Sequence, residues 1–199
     1  DGTLINLNTH SAVDVRFDEK QRRVILQEGE ILVETAHGDA RPFIVETREG
    51  SMRALGTRFL VKREAEGTRL SVLQSAVAAH PESSPHEQIL REGQQVLIRN
   101  DSLGPVAALG LGADAWTRGM LVVDNARLGD LVHELGRYRR GHLGVAPEVA
   151  DLRITGSFPL KDTNLALDAL LPTLPVQIEQ HTSWWVTVAA KTEAKRNPL

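Results

Sequence analysis

The sequence predicts a mainly β chain that closes with a small α+β unit, and three observations carry that prediction. From Thr3 to about Arg99, apolar residues recur with period two, as in half-buried strands. Around Asn100 to Ala115 the composition shifts to Gly, Ala and Pro, which marks a break between units. Beyond Trp116, apolar residues at helical spacing occur for the first time. The expected division is an all-β domain at 1–105, a linker at 106–115, a small α+β domain at 116–190 and a flexible tail at 191–199.

The chain opens on Asp1-Gly2, the dipeptide expected at the tip of a two-residue hairpin, followed by the alternating stretch Thr3 to Asn8. A strand is expected before such a turn, so the chain reads as an excised fragment. Val13, Val15 and Phe17 then alternate with polar neighbours. Later come Val24 and Leu26, Ile31 and Val33, Phe43 and Val45, Phe59 and Val61, Leu70 and Val72, and Val96 and Ile98. The pairs Glu28-Gly29, Glu49-Gly50, Glu66-Gly67 and Glu92-Gly93 punctuate these strands, where glycine supplies the positive φ of a tight turn. VILQEGEILVE, FIVETREGSMRAL and VKREAEGTRLSVL read as loose copies of one strand-turn-strand unit. Their uneven spacing favours a β-roll or short solenoid of hairpins over a strict repeat array.

Within RALGTRFLVKRE, Gly56 is expected to make a bulge or close backbone approach that redirects the chain. Arg58 is expected to lay its stem over apolar surface and set its guanidinium on a carboxylate or on carbonyls. His80 to Gln88, with two prolines in a polar cluster, reads as an exposed loop.

In the second unit, a strand at Met120 to Val123 leads to Asn125 as candidate N-cap. Leu128, Leu131, Val132, Leu135 and Tyr138 then follow at helical spacing. His142 to Ala146 and Leu152 to Phe158 read as strands. Leu167, Leu170, Leu171 and Leu174 give a second helical face ended by Pro175, and strands follow at Val176 to Gln180 and Trp184 to Ala189. The order is β-α-β-β-α-β-β, a small sandwich in which helices cover one sheet face.

Composition narrows the function. The chain is 41% apolar and 25% charged with a net charge of −3, so it lacks the basic footprint that binding nucleic acid requires. It contains no cysteine, which removes disulfide scaffolds, thiolate metal sites and cysteine catalysis. No apolar run approaches the ~20 residues of a membrane helix.

The motifs that resemble chemistry are incomplete. GLGADA, Gly110 to Ala115, fits a relaxed dinucleotide pattern, but Pro105 stands close before it and Trp116-Thr117-Arg118-Gly119 follows it, so no long helix begins to hold a pyrophosphate. His133-Glu134 opens like a zinc-protease helix, yet Arg137 stands where the second imidazole is needed. Ser157 lacks the second glycine of a nucleophile elbow. No enzyme, cofactor, metal or small-molecule substrate is expected.

Two features suit an interface instead. Arg137, Arg139 and Arg140 cluster at the expected end of the first helix, where they cap carbonyls or form a basic patch. Trp184 and Trp185 are adjacent on a strand, so one indole is expected in the core and the other exposed as an anchor or covered.

ARPFIVETREGSMRALGTRFLV, the following VLQSAV strand and LREGQQV resemble the FecR family of bacterial sigma-factor regulators. DGTLINLNTHSAV, QRRVILQEGEILVETA and WTRGMLVVDNARLGDLVHELGRYRRGHL fit the same pattern in order. The resemblance implies the periplasmic part of a single-pass inner-membrane protein of Gram-negative bacteria, whose absent cytoplasmic segment holds the sigma factor. It also implies that the second unit is a βαββαβ domain like those of secretins and of TonB-dependent receptor N-termini.

The expected partner is the N-terminal signalling domain of a TonB-dependent siderophore receptor, with periplasmic or membrane proteases acting downstream. The contact is expected at Leu128, Leu131 and Leu135, at Arg139 and Arg140, and at Trp184, Trp185 and Val186, with edge-strand addition as one mode. The competing expectation is a carbohydrate-binding or envelope-assembly module that uses a tryptophan as a stacking platform.

Overall fold

A computed structural model of the chain describes residues 1–36, 38–182 and 184–191. The chain divides into two units, Asp1–Leu109 and Gly110–Leu199, and each carries its own core. Of the expected tail, 192–199 lies outside the described residues.

The first unit is two six-stranded sheets sharing one core. One sheet holds β1 (Leu4–Leu7), β4 (Glu30–Glu34), β7 (Arg58–Glu64), β8 (Gly67–Gln74), β11 (Gln94–Ile98) and the short β12 (Ala107–Ala108), paired in that order. The other holds β10 (Gln88–Arg91), β9 (Ala76–Pro81), β6 (Gly50–Ala54), β5 (Phe43–Thr47), β3 (Arg22–Glu28) and β2 (Ala12–Phe17). All pairings are antiparallel except β3 with β5. Period-two residues named above point inward from both sheets: Val24, Leu26, Phe43 and Val45 from one and Ile31, Phe59, Val61 and Leu70 from the other are fully or almost fully buried. Val15 and Phe17 are the departure, because β2 is an edge strand and leaves them 57% and 39% exposed.

Consecutive strands change sheet repeatedly, and each passage contains a residue with positive φ: His10, Gly29, Gly38, Gly56, Ser75 and Gly93. This corrects the hairpin reading. Glu28-Gly29 and Glu92-Gly93 are corners between sheets, so VILQEGEILVE is not a hairpin at all. At Gly29 (φ +85°) a Cβ would lie 2.2 Å from Ser11 Oγ, which leaves room only for glycine. Glu49-Gly50 and Glu66-Gly67 are true hairpin turns with nearly extended glycines. There the need is space, since a Cβ would come within 2.3 Å of the carbonyl of His80 or Ile98. Gly56 (φ +79°) is where the chain leaves β6 for β7 in the opposite sheet. Arg58 just beyond it places Nε 3.8 Å from Glu34. The loop expected from His80 begins later, because His80 and Pro81 still pair with Ser51 and Gly50.

The second unit runs through a 3-10 turn (Ala115–Arg118), β13 (Met120–Arg127), α1 (Leu128–Gly136), β14 (His142–Val145), β15 (Arg153–Pro159), α2 (Thr163–Asp168), β16 (Val176–Thr182) and β17 (Trp185–Ala190). Its strands form two sheets, a β13-β15 ribbon and the three-stranded β14-β17-β16, where a single sheet face was expected.

Asn125 does not cap α1. It sits in β13 with φ +48°, beside a break in register with β15. The helix start is satisfied instead by loop carbonyls: Leu128 N–H donates to Leu152 O and Gly129 N–H to Ala150 O.

The second helix starts earlier than its leucines suggest. Asp162 accepts from the backbone N–H of Asn164 and Leu165, both at 3.1 Å, and so fixes the N-terminus. Tight turns from Ala169 onward then bury Leu170 and bring Leu174 against the same core.

Candidate functional site

The expected contact residues separate into two groups. Leu128, Leu131 and Leu135 are at most 1% exposed and Val186 is 4% exposed, all within the core of the second unit. The apolar helix face is consumed by packing on the strands around it, so the three leucines cannot serve as a surface. Trp184 and Trp185 are both exposed, at 58% and 53%. The alternation argument failed for them because β17 begins only at Trp185. The inward register belongs to Val186 and Val188, while Trp185 faces out with its ring centroid 4.7 Å from that of His142.

The three arginines also part company. Arg137 pairs with Glu134 at 2.6 Å on the last turn of α1. Arg140 is exposed. Arg139 turns toward α2 and places Nη1 3.3 Å from Asn164 Oδ1, while its Nε is buried without a hydrogen-bond partner.

Arg139 lies over a groove of about 250 Å³ that the sequence reading did not find. Asn164, Leu167 and Asp168 reach it from one face of α2, Ile178 and Gln180 from one face of β16, and Val186 from β17. The i, i+3, i+4 spacing on the helix and i, i+2 on the strand were available signals. Placing the second helix at 167–174 hid the first of them.

The first unit has an open cleft of about 530 Å³ beside Glu49, and of its charged lining Arg48, Glu49, Glu66 and Arg99 are in ion pairs. Glu49 is 5% exposed, accepts from Thr68 Oγ1 at 2.8 Å and lies 3.3 Å from Arg63 Nη2, with Arg48 also paired to it. Burial pushes its carboxyl up, but the hydrogen bonds from Arg48 and Thr68 and the charge of Arg63 outweigh that and hold it below the usual glutamate range. Arg99 faces Glu66 at 3.8 Å across the same cleft. Arg22, 4% exposed, is likewise matched: it meets Asp1 at 2.6 Å, donates to the Arg41 carbonyl and covers the Phe43 ring.

Among the described residues no group of three or more His, Asp or Glu is placed to hold a metal ion, and no helix is long and apolar enough to cross a membrane. What the second unit presents outward is two exposed indoles, an exposed Arg140, and a groove lined by both hydrogen-bond donors and acceptors.

Comparison with known proteins agrees with the sequence resemblance. Two crystal structures of a candidate anti-sigma factor from Parabacteroides distasonis ATCC 8503 share the fold. The one at 1.65 Å matches with a TM-score of 0.76 and 24% identity, covering 97% of this chain and 92% of the other. The one at 2.50 Å gives 0.76 and 22%, covering 96% and 92%. The likeness thus extends over both units. No curated protein sequence matches the chain. Residues 1–78, from the start through the middle of β9, match the family described as FecR protein.

Proposed function

We propose that this chain is the periplasmic signalling part of a membrane-anchored sigma-factor regulator. It docks the N-terminal signalling domain of a TonB-dependent siderophore receptor. Docking changes how the membrane-proximal region meets proteases, and the signal reaches an extracytoplasmic-function sigma factor held by a cytoplasmic segment. The partner drives this only insofar as it favours one state of the chain over another.

The match of residues 1–78 to the FecR family supports the regulatory part of the reading. The fold shared with a candidate anti-sigma factor adds to it, and the β-α-β-β-α-β-β order suits a domain of the secretin and receptor N-terminus kind. The observation that carries the docking part is the exposed Trp184 and Trp185 pair in the second unit, because desolvated tryptophans dominate interface energies.

The same two indoles would also serve as a sugar-stacking platform, so one experiment separates the classes. The intact chain is titrated calorimetrically with a purified receptor signalling domain and, separately, with periplasmic glycans. The signalling reading expects heat with the protein and none with the glycans. The reverse result transfers the tryptophans to carbohydrate binding.

A further inference from the structure

In the first unit β2 ends its sheet, so one side of it has no strand neighbour among the described residues. The ladder with β3 fixes which backbone groups face that side. Asp18 N–H donates to Gln21 O at 3.0 Å and closes the hairpin with a bonded pair, while Arg22 N–H turns away to Pro42 O. Bonded and non-bonded pairs alternate along an antiparallel ladder, so Arg16 and Asp14 bond to Arg23 and Ile25. The N–H and C=O groups of Val13, Val15 and Phe17 therefore face the open edge.

The side chains are self-complementary about Val15. Val15 and Phe17 lie on the same face as Val13, which packs on the core, yet at the border of the sheet they stay 57% and 39% exposed. Asp14 and Arg16 point to the other face and are exposed. Asp14 accepts from Gln27 Nε2 at 2.8 Å. Arg16 stands opposite another cation, Arg23, whose own partner is Glu46 at 3.0 Å, and no carboxylate pairs with Arg16 among the described residues.

A second β2 laid antiparallel on a two-fold axis at Val15 sets Val15 against its copy, Val13 against Phe17 and Asp14 against Arg16. The first two combinations join residues whose backbone groups face the edge, so each exchanges both hydrogen bonds. Asp14 and Arg16 meet at the non-bonded positions, where cross-strand side chains come closest, and their charges are opposite. Charges on an edge strand ordinarily turn an incoming strand away, whereas this alternation about Val15 admits its own copy. Backbone, apolar and charged groups are all satisfied at one register.

We infer that β2 is a self-association edge, at which two copies of the chain join antiparallel about Val15 and continue the sheet across the pair. The inference is independent of the docking reading, because it uses only the first unit.

Sedimentation equilibrium of the intact chain, over a concentration series up to the solubility limit, tests it. D14R and R16D each set like charges face to face across the axis, and D14R/R16D restores opposite charges with the signs exchanged. V15P removes an edge-facing donor that the β2-β3 ladder does not use. Circular dichroism melts confirm that each variant is folded.

The expected result is reversible dimerisation, weakened about tenfold or more by D14R, by R16D and by V15P, and recovered in D14R/R16D. Recovery separates the pairing from a merely structural role of Asp14, since its hydrogen bond from Gln27 is lost in the double variant as well. A chain that stays monomeric throughout the series overturns the inference, and so does one whose β2 is covered only by a receptor signalling domain. A dimer that any of the single changes leaves at full strength, or that the double exchange fails to recover, overturns it too.

Discussion

In the first unit a buried carboxylate, Glu49, is met by Thr68, Arg48 and Arg63, and a buried Arg22 by Asp1 and the Arg41 carbonyl. In the second unit Arg139 Nε is buried with nothing opposite it, and two indoles stand more than half exposed. Both units hold buried donors without a hydrogen-bond partner, Arg23 Nε, Thr57 Oγ1 and Arg63 Nε in the first and Trp116 Nε1 and Arg139 Nε in the second, so what sets the second apart is its two exposed indoles. Large exposed aromatics cost a free chain solubility, so the indoles mark a surface that a partner can cover. The cleft beside Glu49 is roomier than the groove beneath Arg139, yet its pairing makes it the poorer candidate.

The contrast can be broken most directly in the first core. Phe59 is fully buried between the two sheets, so Phe59→Ala should cost about 3–5 kcal/mol, read as a lowered denaturant midpoint by circular dichroism. All three tryptophans, Trp116, Trp184 and Trp185, belong to the second unit, so indole fluorescence reports that unit separately.

Next in size are the corners. Gly29→Ala forces a left-handed backbone on alanine and drives its Cβ into Ser11 and the His10 carbonyl, an expected loss of about 3 kcal/mol. Gly56→Ala carries the backbone strain alone, because its Cβ would meet nothing within 4 Å, and should cost about 1 kcal/mol. Equal losses at the two positions would mean that close packing at the Gly29 corner contributes nothing.

The internal pairing of Glu49 predicts a pH dependence. Its carboxyl titrates lower in the folded chain than in the unfolded one, so the stability it contributes is complete above the ordinary glutamate range. That stability is lost as pH falls through the folded value. Melting temperature should therefore fall on acidification below about pH 4.5, the ordinary glutamate value, and Glu49→Gln should flatten part of that slope. An unchanged slope in the variant would place the acid sensitivity elsewhere. The smallest stability effect is expected in the second unit, where Trp184→Ala at an exposed position should stay within about 0.5 kcal/mol of the unaltered chain.

Period two marked the inward residues of the first unit correctly because alternation is a local property of a strand packed on one face. It could not assign strands to sheets, since Glu28-Gly29 at a corner and Glu49-Gly50 in a hairpin are the same dipeptide. Only the neighbours they approach, Ser11 in one case and His80 in the other, tell them apart. Helical spacing found Leu128, Leu131 and Leu135 but not their burial, which depends on strands arriving from later in the chain. The capping aspartate of α2, Asp162, was readable in principle and was overshadowed by four leucines downstream. Local spacing carried the two walls of the groove, Asn164, Leu167 and Asp168 on α2 and Ile178 and Gln180 on β16, but not their meeting with Arg139 and Val186, which happens only on folding.

The central claim is that the second unit presents the exposed indoles as a docking surface. Calorimetric titration of the intact chain and of its W184A/W185A double variant with a receptor signalling domain tests it most directly. The account predicts at least tenfold weaker binding by the double variant at an unchanged melting temperature. Equal affinity for the two proteins would contradict it.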